Sequence, residues 1–338
     1  MAFGVKMENA YPMAMVSAPG SIEFVDFPVA DPSPTQVLIK TKAVSICGSD
    51  IHTYRGTHPF APLPAAIGHE LSGEIVEIGR EVSKFQPGDR VVLEPVIVCG
   101  ACAFCRQGDY NLCANITFHH REGKGAFIPY FVADQDWVHR LPKGISFEEG
   151  ALVEPLAVAL HALRRADMKQ GQSVAVFGAG PVGIMIVMVV RRAGAGDIFS
   201  VDIQDFRLRK AKEQGATEVF DNAEGDAPEA ITQMTDRLGV DVAFEVVGMQ
   251  LTLIQSLNAL RKGGTAVVVG LFSKPHMVIP SNIFVQKEIT LSGSQGYCRD
   301  FQAALKLLEK GDIDLESLIT HRLSISSLQE GFHILTDP

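Results

Sequence analysis

The stretch Ser173–Val190, SVAVFGAGPVGIMIVMVV, decides the fold. A short apolar run is followed by Gly178, Gly180 and Gly183, and the chain then stays apolar to Val190. The spacing predicts a strand, a tight turn and a buried helix. In such a unit the first glycine permits the turn and the second lets backbone approach a pyrophosphate. The third lets the helix pack on the strand. Pro181 and Val182 open the helix, where free N–H groups and a partial positive charge face the turn. The glycines alone would also suit an ordinary α/β turn. The next strand, IFSVD, ends in Asp202, 19 residues past Gly183. A carboxylate there accepts hydrogen bonds from ribose hydroxyls and repels a 2′-phosphate, so NAD is expected rather than NADP. Arg207 joins this cofactor-binding set, although Arg207 to Lys212 otherwise reads as a solvated helix face.

Working outward, DIFSVD, EVFDN, VDVAFEVVG, GTAVVVG and EITLSGS are apolar strands separated by helix-length segments such as RLRKAKEQGA and LIQSLNALRKGG. That alternation predicts a doubly wound parallel sheet over residues 156–294. The texture before it differs. QVLIKTKAVSI, ELSGEIVEIG and GDRVVLEPVIV are β-branched runs separated by Gly and Pro, which predicts a compact β-barrel-like domain within residues 1–155. The first dozen residues read as an extension. EEGALVEPLAVALHALRRA has helical spacing and leads into the second domain.

With 338 residues, the chain is longer than a single core usually grows. Charged residues make up 20% and the net charge is −9, which argues against nucleic acid or an anionic membrane as the main partner. The longest apolar run, Val182 to Val190, is about half a membrane span. The N-terminus shows no secretory pattern, so a cytoplasmic setting is expected.

Of six cysteines, four stand in CGACAFCRQGDYNLC at Cys99, Cys102, Cys105 and Cys113. Four thiolates at this spacing can enclose one tetrahedral Zn²⁺, and a closed Cys₄ shell leaves no position for substrate. An iron–sulfur cluster fits the ligand type alone. A second set is scattered: Cys47 in AVSICGSDIH, His69 and Glu70 in AIGHELSG, and Glu154 in ALVEPLAVALH. Singly these read as a buried thiol, a turn histidine and ordinary acids.

Together, GHE at Gly68–Glu70, PGDRV at Pro87–Val91, the four-cysteine lobe (95–115) and GAGPVG occur in one order. In this the chain resembles the zinc-containing medium-chain dehydrogenase/reductase family, from about Met13 to its end. The stretch around Glu154 looks like the polyol branch, which includes sorbitol and 2,3-butanediol dehydrogenases. The resemblance implies a GroES-like catalytic domain, a Rossmann NAD-binding domain, and a return to the catalytic domain over 295–338. It implies two zinc ions: a structural one on the four cysteines, and a catalytic one on Cys47, His69 and Glu154, with Glu70 binding directly or through water. A carboxylate in place of the thiolate of animal alcohol dehydrogenases makes a harder ion, suited to neighbouring oxygens. Animal sorbitol dehydrogenases lack the full Cys₄ set kept here, which brings this chain closer to butanediol, threonine and bacterial polyol dehydrogenases. Threonine enzymes carry DPFGNAVH where this chain has EPLAVALH.

The implied reaction removes a hydroxyl proton, eased by an open-position metal, and passes hydride to the nicotinamide. Ser49 resembles the family's relay hydroxyl and His52 its outward proton carrier; Asp50 would support the His69 ring. Phe118, His120, Tyr54, Tyr297 and Arg299 are the substrate-pocket candidates. Their ordinary readings are a solvated loop for the 118–120 segment and helix entry for 297–299. Cys298 reads as a packed thiol. Homodimers or tetramers are usual in the family. The chain stops soon after EGFHILTDP, where relatives continue, so an early end is expected. The alternative class is an NAD-binding protein that has lost its chemistry.

Overall fold

The computed structural model describes residues 10–223 and 226–336. Most of the expected N-terminal extension (1–9) and the last two residues lie outside them. Ala10 to Pro12, expected in that extension, already belong to the first strand.

One compact unit comprises the described residues up to Glu154 together with those from Leu315 onward. Its strands are β1 (Ala10–Ala18), β2 (Ser21–Pro28), β3 (Gln36–Ser45), β4 (Ala65–Ala66), β5 (Glu70–Ile78), β6 (Arg90–Leu93), β7 (Val96–Ile97), β8 (Thr117–Phe118), β9 (Tyr130–Asp134) and β10 (Val138–Arg140). A five-stranded sheet runs β10-β6-β5-β3-β9, and a three-stranded one runs β2-β1-β4. Met13, Val37, Ile39, Leu71, Ile75, Val91 and Phe131 form a shared apolar core between strands. GDRVVLEPVIV, expected as one run, is broken at Glu94 and Pro95, because proline cannot donate to a ladder. Short helices α1 (Gly48–Tyr54), α2 (Ala103–Gln107) and α3 (Phe147–Ala151) decorate the sheets.

The second unit, Pro155–Asp314, holds a six-stranded parallel sheet. It contains most of α4 (Val153–Ala166), then β11 (Val174–Phe177), α5 (Pro181–Arg192), β12 (Ile198–Asp202), α6 (Asp205–Glu213), β13 (Glu218–Asp221), α7 (Ala227–Met234), β14 (Val240–Glu245), α8 (Gln250–Ala259), β15 (Leu260–Val268), α9 (Asn282–Lys287), β16 (Thr290–Gly293) and α10 (Asp300–Glu309). The strand order β13-β12-β11-β14-β15-β16 reverses direction between β11 and β14, the position at which such sheets bind nucleotides. LIQSLNALRKGG is helical only to Ala259; Leu260 onward pairs with β14 instead.

The return to the first unit comes at Leu315, later than the expected 295. Residues 295–314 stay with the parallel sheet because Phe301, Leu305 and Leu308 of α10 are buried there. The Arg164 guanidinium also donates to the Cys298 carbonyl (2.8 Å) and to Asp300 (3.1 Å). The last helix, α11 (Leu328–Thr336), packs Phe332 on the Tyr54 ring at 5.0 Å.

Candidate active site and nucleotide turn

Cys47 caps the N-terminus of α1, and Asp50, three residues on, accepts a hydrogen bond from the Cys47 N–H at 3.1 Å. The other Asp50 oxygen accepts the Gly68 N–H at 3.0 Å and stands 3.7 Å from His69 Nδ1. Asp50 therefore clamps both ligand-bearing segments through their backbone, a wider role than supporting the imidazole alone. Gly68 has φ +86°, and a Cβ there would lie 2.6 Å from the Phe127 ring, so GHE needs its glycine.

Glu70 begins β5 opposite Ser45, whose hydroxyl donates to its carboxylate. The Cys47 sulfur, a His69 ring nitrogen and a Glu70 oxygen all lie within 4.8 Å of one another. Glu154 is buried on the first turn of α4; it is outside that trio, but its charge acts on His69. Glu70, adjacent to His69 in sequence, thus joins Cys47 and His69 in one close donor cluster.

The electrostatics suit a cation. Burial, and then the Glu70 charge, push the Cys47 thiol up to about 11. Burial opposes charge on His69, yet Asp50, Cys47 and Glu154 together raise it well above its ordinary value. Burial also raises Glu70. A soft thiolate, an imidazole and a hard carboxylate packed this closely form a donor set that fits Zn²⁺.

The four-cysteine lobe fits a metal as well. Cys99, Cys102, Cys105 and Cys113 place their sulfurs within 4.8 Å of one another. Cys99 and Cys113 stand 3.5 Å apart, far beyond a disulfide's ~2.05 Å and close to the ~3.8 Å expected for two sulfurs on one zinc. Backbone N–H groups point at these sulfurs, and the one from Cys105 leads in pulling the Cys102 thiol down to about 6. Glu94, buried just before the lobe, accepts the Tyr110 hydroxyl at 2.6 Å and pairs with His139 at 2.7 Å. Sequence reasoning missed this anchor, since a lone Glu before Pro carries no local signal.

Other candidates separate. Ser49 is half-buried on α1; His52 lies 3.4 Å from the Thr57 hydroxyl and is pulled down by burial and then by Arg55, which keeps it neutral near pH 7. His120 stacks beside His69 at 4.8 Å and beside Phe118 at 5.8 Å. Tyr54 is buried, and its hydroxyl accepts from Gln329 at 2.5 Å, a core task. Tyr297, 1% exposed, sets its ring against Phe301 at 4.9 Å, while Arg299 is exposed at the entry of α10.

In the nucleotide unit, a Cβ on Gly183 would meet the Gly178 carbonyl at 1.8 Å, so only glycine allows α5 to close on the turn. Gly180 has nothing within 4 Å of such a Cβ, leaving that face open. Asp202 is already engaged with backbone: it accepts from Ala179 (2.7 Å), Ile203 (2.9 Å) and Gln204 (3.0 Å), with Arg207 at 3.8 Å. It thus orders the glycine turn itself, beyond the expected ribose contact.

Glu245, fully buried at the end of β14, does the same on the neighbouring strand. One oxygen accepts from Val247 (3.0 Å), Gly248 (2.8 Å) and the Thr252 hydroxyl (2.7 Å). A Cβ on Gly178 would lie 2.7 Å from the Val247 side chain, so this loop borders the glycine turn. Glu245→Ala leaves those donors unpaired, and the dissociation constant for NADH is expected to rise about tenfold or more. Fluorescence titration checks this, with Glu245→Gln retaining most of the affinity.

The fold also carries an acid liability. Burial pulls His58 and His119 down to about 4, with Arg121 and Lys124 adding respectively. Both groups are neutral in folded and unfolded chains above about pH 6.5, so they cost nothing there. Between 6.5 and 4 the unfolded chain takes up protons that the folded one refuses, and stability falls as pH falls. The thermal midpoint should therefore drop through that window, and less steeply in His119→Phe.

Two family models match: the alcohol dehydrogenase GroES-like domain over residues 33–143 and the zinc-binding dehydrogenase over 181–310. Sorbitol dehydrogenase of Bacillus subtilis is 37% identical over 91% of this chain and 89% of its own length. The crystal structure of 2R,3R-butanediol dehydrogenase from the same organism superposes with a TM-score of 0.87 at 36% identity, covering 97% of this chain and 96% of that one. An NADP-bound zinc-binding dehydrogenase structure from Sinorhizobium meliloti gives 0.89 at 30% identity, covering 96% of each. The chain belongs to the zinc-containing medium-chain dehydrogenase/reductase family, in its polyol branch. It is an oxidoreductase of the alcohol dehydrogenase type.

Proposed function

We propose that the enzyme oxidises a secondary alcohol of a polyol or vicinal diol to a ketone, with NAD as hydride acceptor. It would hold one zinc at Cys47, His69 and Glu154, with Glu70 binding directly or through water, and a second at Cys99, Cys102, Cys105 and Cys113. The observation that carries this reading is the donor trio within 4.8 Å, a thiolate, an imidazole and a carboxylate gathered at one point. When bound, the catalytic zinc supplies a Lewis acid that eases loss of a hydroxyl proton. The chain supplies the rest. Asp50 and Ser45 fix the trio, and Ser49 with neutral His52 accepts and passes on the proton. The glycine turn, Asp202 and Arg207 hold the dinucleotide. NAD is favoured over NADP because Asp202, a buried carboxylate at the end of β12, would repel a 2′-phosphate, even though one structural relative is NADP-bound. A cytoplasmic homodimer or homotetramer is the setting proposed by family likeness.

A second reading, (R,R)-2,3-butanediol dehydrogenase, is favoured by the 38% identity to the Bacillus subtilis enzyme of that name over 93% of this chain. Reduced-nicotinamide formation from sorbitol, xylitol, threitol, 2,3-butanediol and threonine, each with NAD and NADP, tests both. Turnover of a polyol with NAD supports the first reading, and turnover of butanediol alone supports the second. Oxidation of threonine alone refutes both, and no oxidation with two zinc ions bound points to a protein that has lost its chemistry.

A further inference from the structure

A run of rings leads away from the metal-ligand candidate His69. His120 lies 4.8 Å from it, and Phe118 lies 5.8 Å from His120. The Arg121 guanidinium carbon then sits 5.0 Å over Phe118 and 5.6 Å over Phe60, so the cation is held between two rings. His58 closes the run, 6.3 Å from Phe60. Among the described residues, Arg121 makes no ion pair and donates no hydrogen bond.

Stacking restrains the guanidinium plane while leaving its N–H edge free, and that edge is the part that matches a carboxylate or phosphate. Burial, and then the Arg121 charge, pull His58 down to about 4, so it is uncharged near neutral pH. The result is a permanent cation without a counter-ion, mounted on apolar rings that lead from the candidate reaction centre. A chain molecule lying along those rings would displace water and strengthen any ion contact at their far end.

We propose that Arg121 is a specificity-determining residue that takes the terminal anion, a phosphate monoester or a carboxylate, of a polyol oxidised at the Cys47–His69–Glu70 centre. This rests on the polyol reading above and narrows it to anionic polyols.

The test is kcat and KM of the zinc-loaded enzyme on D-sorbitol, D-sorbitol 6-phosphate and D-gluconate, for the wild type, Arg121→Gln and Arg121→Lys. The wild type should prefer one anionic substrate over sorbitol by at least about tenfold, mainly through KM, and the preference should shrink with added salt. Arg121→Gln should lose about 10- to 100-fold in kcat/KM on that substrate and stay within about twofold on sorbitol. Arg121→Lys should keep part of the preference, since it retains charge but not the planar fork. The phosphate and gluconate arms identify which anion is read. Equal or better turnover of sorbitol by the wild type overturns the proposal and leaves the polyol reading standing. Equal loss on all three substrates in Arg121→Gln also overturns it. Oxidation of none of the three, with both zinc ions bound, overturns the polyol reading and this proposal with it.

Discussion

On the two-zinc reading proposed above, His69→Ala is expected to lower kcat/KM by at least about 10³-fold and to reduce bound zinc from two equivalents per chain to one. The size follows from what an open-position metal contributes to removing a hydroxyl proton, several kcal/mol at the barrier. His69 contributes the imidazole of a trio whose other members, Cys47 and Glu70, are disfavoured in their charged forms by burial. Without the ring, the site loses its one neutral nitrogen ligand and is left with donors whose charged forms burial disfavours, which weakens zinc binding. Metal analysis and steady-state rates check the two halves together, while the lobe zinc and the thermal midpoint report that the chain still folds. Wild-type turnover by this variant would show that the reaction centre lies elsewhere.

The second large effect is on stability. Cys113→Ser is expected to release the other zinc and lower the thermal midpoint by about 10 °C or more. The lobe has little apolar packing of its own: Phe104 is 43% exposed and Leu112 48% exposed. Its order comes from sulfurs and the N–H groups that point at them, including those of Cys99 (3.3 Å) and Asn115 (3.4 Å) directed at Cys113. In such lobes metal-binding energy is folding energy, and one missing thiolate forfeits much of it. Scanning calorimetry with and without a chelator checks this. A variant that keeps both the midpoint and two zinc ions would remove the structural role assigned to the cluster.

Much of this was legible before any coordinates. The glycine turn at 178–183 and the strand ending in Asp202 are local in sequence, and their meaning depends on backbone rules that act over a few residues. The cysteine cage is local too, spanning Cys99 to Cys113. What could be missed were groups whose partners are distant in the chain. Asp50 binds Gly68, Ser45 binds Glu70, Glu94 binds Tyr110 and His139, and Arg121 stacks on Phe60. None of these pairs carries a spacing signal. The substrate candidates divided for the same reason: Tyr54 and Tyr297 turned inward to packing partners, while His120 came to rest beside His69.

Short-range pattern by itself determined the two kinds of sheet, the nucleotide turn and the four-cysteine set, because periodicity, glycine sterics and ligand chemistry are properties of neighbouring residues; the scattered set at Cys47, His69, Glu70 and Glu154 was named only through the family resemblance. Only the tertiary structure decided that Glu70 gathers with Cys47 and His69, that Asp202 spends its oxygens on the turn, and that residues 295–314 remain with the parallel sheet. Those outcomes depend on which buried polar group finds a partner and which apolar face finds cover, and such choices are made between segments far apart along the chain.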